Sequence, residues 1–152
     1  MLFKGIKCLI SQDQEVNFLT IASGPVIFDD KGMVLLTKDD KDDFWKFAGG
    51  TVNSNESFEN AAKREAIEET GQKIVIKKTE PAVMILNPPG KVILLIHFLA
   101  EFESTPDTFT PRDENIKDVR FFHRDQLPKN LASNVQPVLE YFSSGDCSKN
   151  VA

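Results

Sequence analysis

A chain of 152 residues with 41% hydrophobic content is long enough to bury one sizeable core, and one compact domain over residues 1–142 with a mobile tail at 143–152 is the simplest division. The formal net charge of −5 excludes the basic field that broad nucleic-acid or membrane-surface binding requires. Cys8 and Cys147 lie near opposite ends and suggest neither a disulfide framework nor a thiolate metal site, and the apolar start MLFKGIKCLI is interrupted by lysines and too short to cross a bilayer. A reducing, cytoplasmic setting is expected.

In chain order, Phe18 to Phe28 and Met33 to Thr37 read as strands joined by the turn Asp29-Asp30-Lys31-Gly32. Lys38 to Asp43 reads as a charged loop, and Phe44 to Phe47 as a short strand leading into glycines. A helix begins after Ser57, a capping residue, and runs to about Thr70, where Gly71 supplies a left-handed stop. Lys73 to Lys77, Ala82 to Leu86 and Lys91 to Phe102 follow as strands, with Pro88-Pro89-Gly90 marking a turn. Glu103 to Asn115 is a polar loop, Ile116 to His123 a last strand, and Val135 to Phe142 a second helix. Strands around one clear helix predict a mixed α/β domain.

The first helix carries the chemistry. Glu65, Glu68 and Glu69 stand at i, i+3 and i+4, so their carboxylates share one face. Each like-charged pair at that spacing costs roughly 0.2–0.5 kcal/mol. Their place in the C-terminal turns, where the macrodipole disfavours anions, costs roughly another 0.3–1 kcal/mol. A solvated acidic face partly offset by Lys63 and an Arg64–Glu68 pair is one account of the string; a divalent cation held by the carboxylates is the other. The fixed glycines and Glu56 around the helix favour the cation.

The segment from Gly50 to Gln72 resembles the Nudix box, G-x5-E-x7-R-E-U-x-E-E-x-G-U, where U is a bulky apolar residue. Gly50, Glu56, Arg64, Glu65, Glu68, Glu69 and Gly71 all match. Ala66 is small at a U position, and Gln72 replaces the usual aliphatic residue, leaving Ile74 and Ile76 to anchor the next strand. The preceding Trp45-Lys46-Phe47-Ala48-Gly49-Gly50 is similar to the family's W-x-x-P-G-G, with Ala48 in place of proline, and Asn55, which tolerates a left-handed backbone, stands where glycine often does. The likeness extends over about residues 18 to 142.

The resemblance implies the Nudix fold, a mixed β-sheet sandwiched between α-helices, and metal-dependent hydrolysis of a pyrophosphate bond in a nucleoside diphosphate linked to another moiety. It implies Mg2+, or Mn2+, as cofactor, since hard divalent cations take oxygen ligands. Carried over residue by residue, Glu65 and Glu69 are principal ligands, Glu68 a ligand or the base that activates water, the Gly49 carbonyl a further ligand, Glu56 a support through a second metal or hydrogen bonds, and Arg64 the orienting ion pair. An acid on a later loop acts as base or ligand in many members, which points to Asp113 or Glu114, with Glu114 favoured and Glu101 and Glu103 as alternatives. His97, within an apolar strand, reads as a buried structural histidine. For the substrate, Trp45, Phe47 and Phe28 are candidates to stack a base, and Arg112, Lys117 and Arg120 to meet phosphates. Pro88, sixteen residues after Gln72, lies one place off the proline that marks ADP-ribose hydrolases. A non-catalytic nucleotide-binding module or a diphosphate isomerase on the same fold are the alternatives, and homodimers are common in the family.

Overall fold

A computed structural model describes residues 18–144. Cys8, Cys147, the apolar start and most of the expected tail lie outside the described residues. The elements are β1 (Phe18–Ile27), β2 (Val34–Asp39), β3 (Trp45–Lys46), β4 (Gly50–Thr51), α1 (Phe58–Thr70), β5 (Ile74–Ile76), β6 (Ala82–Leu86), β7 (Lys91–Phe102), β8 (Ile116–Phe122) and α2 (Val135–Ser144).

Two sheets form. The larger has the order β4-β1-β7-β5, and β6 also pairs with β7, so the twelve-residue β7 serves two short antiparallel partners along one edge. On its other edge β7 runs parallel to β1 from Phe18↔Lys91 to Ile27↔Ala100, which makes the sheet mixed. The smaller sheet, β3-β2-β8, is antiparallel. The last five residues of β1 and the first four of β2 are buried without alternation, the pattern of strands covered on both faces.

The side chains of β2 divide the core. Val34 and Leu36 join Trp45, Phe47, Val138, Leu139 and Phe142 in the cluster beneath α2, whereas Leu35 joins Ile27, Ala66 and Ile74 beneath α1. By that alternation Thr37 follows Leu35 onto the α1 side.

Several boundaries differ from the sequence reading. β2 runs on through Lys38 and Asp39 because Lys38 finds backbone partners at Trp45 and Asp118, with a register shift between Lys38 and Asp39 absorbing the irregular step. Gly50 and Thr51 form a short strand against Ser23 and Ala22 that local pattern does not announce. Ser143 and Ser144, assigned to the tail, complete α2, and the Ser143 hydroxyl donates to the Leu139 carbonyl at 2.7 Å. Neither helix is long and apolar enough to cross a membrane.

Candidate active site

α1 positions the site. Its start is fixed by Ser57, whose hydroxyl accepts the Asn60 N–H at 3.1 Å, and by Ser23 of β1, whose hydroxyl donates to the Phe58 carbonyl at 2.7 Å. It ends at Gly71, with φ +77 and its N–H on the Ile67 carbonyl at 2.9 Å. The buried apolar stripe is only Ala61, Ala62 and Ala66. Glu65, Glu69 and Thr70 share that buried stripe. Two carboxylates are thus buried where a globular helix would place leucines.

A strap from the loop after β7 closes the helix end. Thr110 donates its N–H to the Thr70 carbonyl at 3.0 Å, and Arg112 and Asp113 donate theirs to the Glu68 carbonyl at 2.8 and 2.9 Å. These bonds satisfy carbonyls that the last turn leaves without partners, and they set Asp113 beside the glutamates.

Arg64 is the hub of the cluster. Its Nε and Nη2 grip Glu56 at 2.7 and 3.0 Å, its Nη1 reaches Glu65 at 2.6 Å and Glu68 at 3.2 Å, and Nη2 also donates to the Thr51 carbonyl at 3.0 Å. Only a guanidinium has the planar fork to serve so many acceptors at once. Glu56 also accepts the Asn53 N–H at 3.0 Å, in a turn where Asn55 takes φ +63 as the sequence suggests. Glu69 stands apart from this fork. Its Oε2 accepts the Thr37 hydroxyl at 2.9 Å and its Oε1 faces the Gly49 N–H at 3.4 Å.

The electrostatics follow from these partners. The Arg64 hydrogen bond holds the Glu56 carboxyl below the usual carboxylate range, and Glu56 in turn is the main cause raising the guanidinium. Burial raises Glu65 despite Arg64 beside it. Burial likewise pushes Glu69 up to about 8, against the Thr37 hydroxyl and Gly49 N–H that favour its charge and with Glu65 and Asp113 adding repulsion. One guanidinium serves Glu56, Glu65 and Glu68, and Glu69 lies beyond it against Thr37, so the described cluster carries excess negative charge in partly dry surroundings. Such a set of hard oxygen donors fits a divalent cation of the magnesium type. As folded, three of the carboxylates are arranged around the Arg64 fork and Glu69 is turned to Thr37, and among the described residues no three acidic, histidine or cysteine side chains converge on a common point. The ion pair of Arg64 with Glu68, one of the two sequence-level accounts, is therefore real, while Glu65 and Glu69 are buried beyond anything a solvated face requires.

The other candidates scatter. Trp45 and Phe47, read as base-stacking rings, are core residues at 7% and 5% exposure. Trp45 meets Phe122 edge-on at 4.8 Å and Phe47 meets His97 edge-on at 5.3 Å, so both rings are packed within the fold. Arg120 pairs across from Leu36 and so lies on the α2 side, over the Trp45 ring, away from Glu69. Glu101 forms a surface ion pair with Lys77 at 2.8 Å. Glu114 is exposed on the loop. Asp113 instead is the loop acid whose charge bears on Glu69. Arg112 is exposed, anchored by its backbone at the Glu68 carbonyl, with no ion pair among the described residues. Gly50, from the box, is packed against the cluster: a Cβ there would sit 2.5 Å from Glu65 Oε1. Thr37 was missed altogether, although one polar residue breaking the apolar run VLL is a readable signal.

A family model, the NUDIX domain, matches residues 19–142. Among solved structures, the MutT NUDIX hydrolase from Burkholderia pseudomallei is 26% identical with a TM-score of 0.67, covering 80% of this chain and 96% of that one. A C. elegans Ap4A hydrolase binary complex superposes at a TM-score of 0.72 with 20% identity, covering 85% and 98% of the two chains. An ADP-ribose pyrophosphatase from Streptococcus suis reaches 0.61 with 23% identity, over 81% and 91%. The chain belongs to the NUDIX domain family, and it is an enzyme of the pyrophosphohydrolase class.

Proposed function

We propose that this enzyme hydrolyses a phosphoanhydride in a nucleoside diphosphate linked to another moiety, with Mg2+ or Mn2+ held by the α1 glutamates. The observation that carries the reading is the burial of Glu65 and Glu69 on a helix face otherwise made of alanines and Thr70, with Arg64 as the one ion-pair partner of the cluster among the described residues and none at Glu69. Glu65 and Glu69, with Glu68 and the Gly49 carbonyl, would hold the cation, which when bound neutralises phosphate charge and lowers the pKa of water.

Each residue then has a task set by its surroundings. Arg64 orients Glu65 and Glu68 through one guanidinium nitrogen while Glu56 braces its other edge. Glu68, the most exposed of the three helix acids with 44% of its side chain accessible, faces the solvent side, where an attacking water and its proton must be handled. Asp113, rather than Glu114, is the second candidate proton acceptor, because the strap holds it at the helix end. Arg112, exposed and anchored by its backbone at the same end with no ion pair among the described residues, would meet the substrate phosphates. Nucleoside triphosphates, nucleotide sugars, ADP-ribose and dinucleoside polyphosphates all carry the bond these groups would attack.

The test is a panel of those substrates assayed for phosphate, pyrophosphate or nucleotide release with Mg2+, with Mn2+ and with EDTA. At least one substrate should turn over with metal and stop without it, and Glu69→Gln should lower kcat on the order of a hundredfold or more. Turnover indifferent to EDTA, or a Glu69→Gln enzyme within a few fold of the parent, would refute the metal assignment.

A further inference from the structure

Thr37 is almost completely enclosed, at 1% exposure; on its face of the sheet it follows Leu35 and stands across from Val119 of β8 and Lys46 of β3. Shape alone does not call for a hydroxyl there: valine has the same branching and an equal liking for strands. The hydroxyl has one proton to give, and two acceptors are near it, the Glu69 Oε2 at 2.9 Å and the Lys46 carbonyl at 3.5 Å. The shorter contact is to the carboxylate. Glu69 has no guanidinium partner, so the Thr37 hydroxyl and the longer Gly49 N–H are its only donors among the described residues. The bond also ties α1 to β2, a strand of the smaller sheet, while the helix itself rests on the larger.

We propose that Thr37 is a positioning residue for Glu69: its hydroxyl fixes one carboxylate oxygen, holding the side chain in a single rotamer from which the other oxygen faces Gly49 and the cluster. The proposal rests on the reading of Glu69 as a ligand for a hard divalent cation. Groups that hydrogen-bond a metal ligand from behind set its orientation, and their loss typically costs about 10- to 100-fold in metal affinity or activity.

The experiment titrates Mn2+ alone into the full chain, following free Mn2+ by EPR. Two pairs of variants isolate the oxygen atom: parent against Thr37→Val, and Thr37→Ser against Thr37→Ala. Within each pair, loss of the hydroxyl should weaken Mn2+ binding about tenfold or more, while Thr37→Ser restores most of the affinity. Adding Thr37→Val to Glu69→Gln should cost nothing further, since the two act as one unit. If Glu69→Gln itself leaves Mn2+ affinity unchanged, the metal reading falls. If Glu69→Gln weakens binding but the hydroxyl-deleted variants stay within twofold of their partners, or if Thr37→Val is fully additive with Glu69→Gln, the metal reading stands and the role of Thr37 is overturned. The Ser and Ala pair keeps the comparison decisive should the valine variant not fold.

Discussion

At the scale of single residues, the glycines and acids of the box are legible in the sequence because each answers a local demand. Gly50 is the clearest case, since the Glu65 carboxylate occupies the space its Cβ would take. Gly50→Ala should therefore push Glu65 off its Arg64 contact and lower kcat about tenfold or more, with little change in the unfolding midpoint because Gly50 lies at the end of a two-residue strand. Denaturant melts alongside steady-state kinetics check this; full activity in a folded Gly50→Ala protein would show that the contact is incidental. What the sequence could not settle was choice between neighbours. Asp113 and Glu114 differ by one place and nothing local separates them; in the fold the strap ties the Asp113 backbone N–H to the Glu68 carbonyl, while Glu114 is exposed. Trp45 and Phe47 pose the same problem: an aromatic ring looks the same in sequence whether it stacks a base or fills a core, and only the fold shows that both are buried.

At the scale of elements, α1 was readable from end to end because its cap, its stop and its period are all local. Its strap was not, since the bonding of residues 110–113 to the helix end depends on a loop that returns from across the sheet. Gly71 joins the two. A side chain there faces a left-handed backbone at φ +77 and a Cβ contact of 2.3 Å with the Thr110 carbonyl, whereas Gly32, at φ +76, has nothing within 4 Å. Both alanine variants carry the left-handed cost of roughly 1–2 kcal/mol. Gly71→Ala must also displace the strap, so it should be the more destabilising by at least about 1 kcal/mol and should lose activity, while Gly32→Ala keeps it. Urea melts of the two variants measure the difference, and equal losses would mean the strap yields freely.

At the scale of the whole molecule, the strands were visible from their composition, but the pairing of β1 with β7 and the split into two sheets were not, because register between distant segments leaves no local trace. His97 reports on the resulting core. It sits at the Ala82 rung of β6 and β7, takes a 3.0 Å contact from the Asn134 side-chain nitrogen on Nε2, packs on Phe47, and leaves Nδ1 buried without a hydrogen bond of good geometry. Burial lowers it to about 4 from an ordinary 6.5, with the Ala82 backbone opposing only in part. A base whose folded pKa is depressed favours unfolding when it is protonated. Its contribution to stability is thus intact above pH 6.5 and is lost as pH falls from 6.5 toward 4, in all about 3 kcal/mol. Urea melts of parent and His97→Gln at pH 7 and pH 4.5 test this: the parent should lose more stability over the interval by about 2 kcal/mol, and parallel losses would assign the acid sensitivity to other groups.

The parallel ladder joining β1 to β7 also orders events during synthesis. Its paired residues, such as Phe18 and Lys91, are more than seventy positions apart in the chain, and β2, the glycine turn and α1 all leave the ribosome between the two strands. The glutamate-bearing helix therefore emerges before the strand that completes the sheet beneath it, and the strap that closes its end emerges later still. Closing so long a loop is entropically costly and slow. The nascent enzyme has its acidic residues in hand well before it has the platform that aims them.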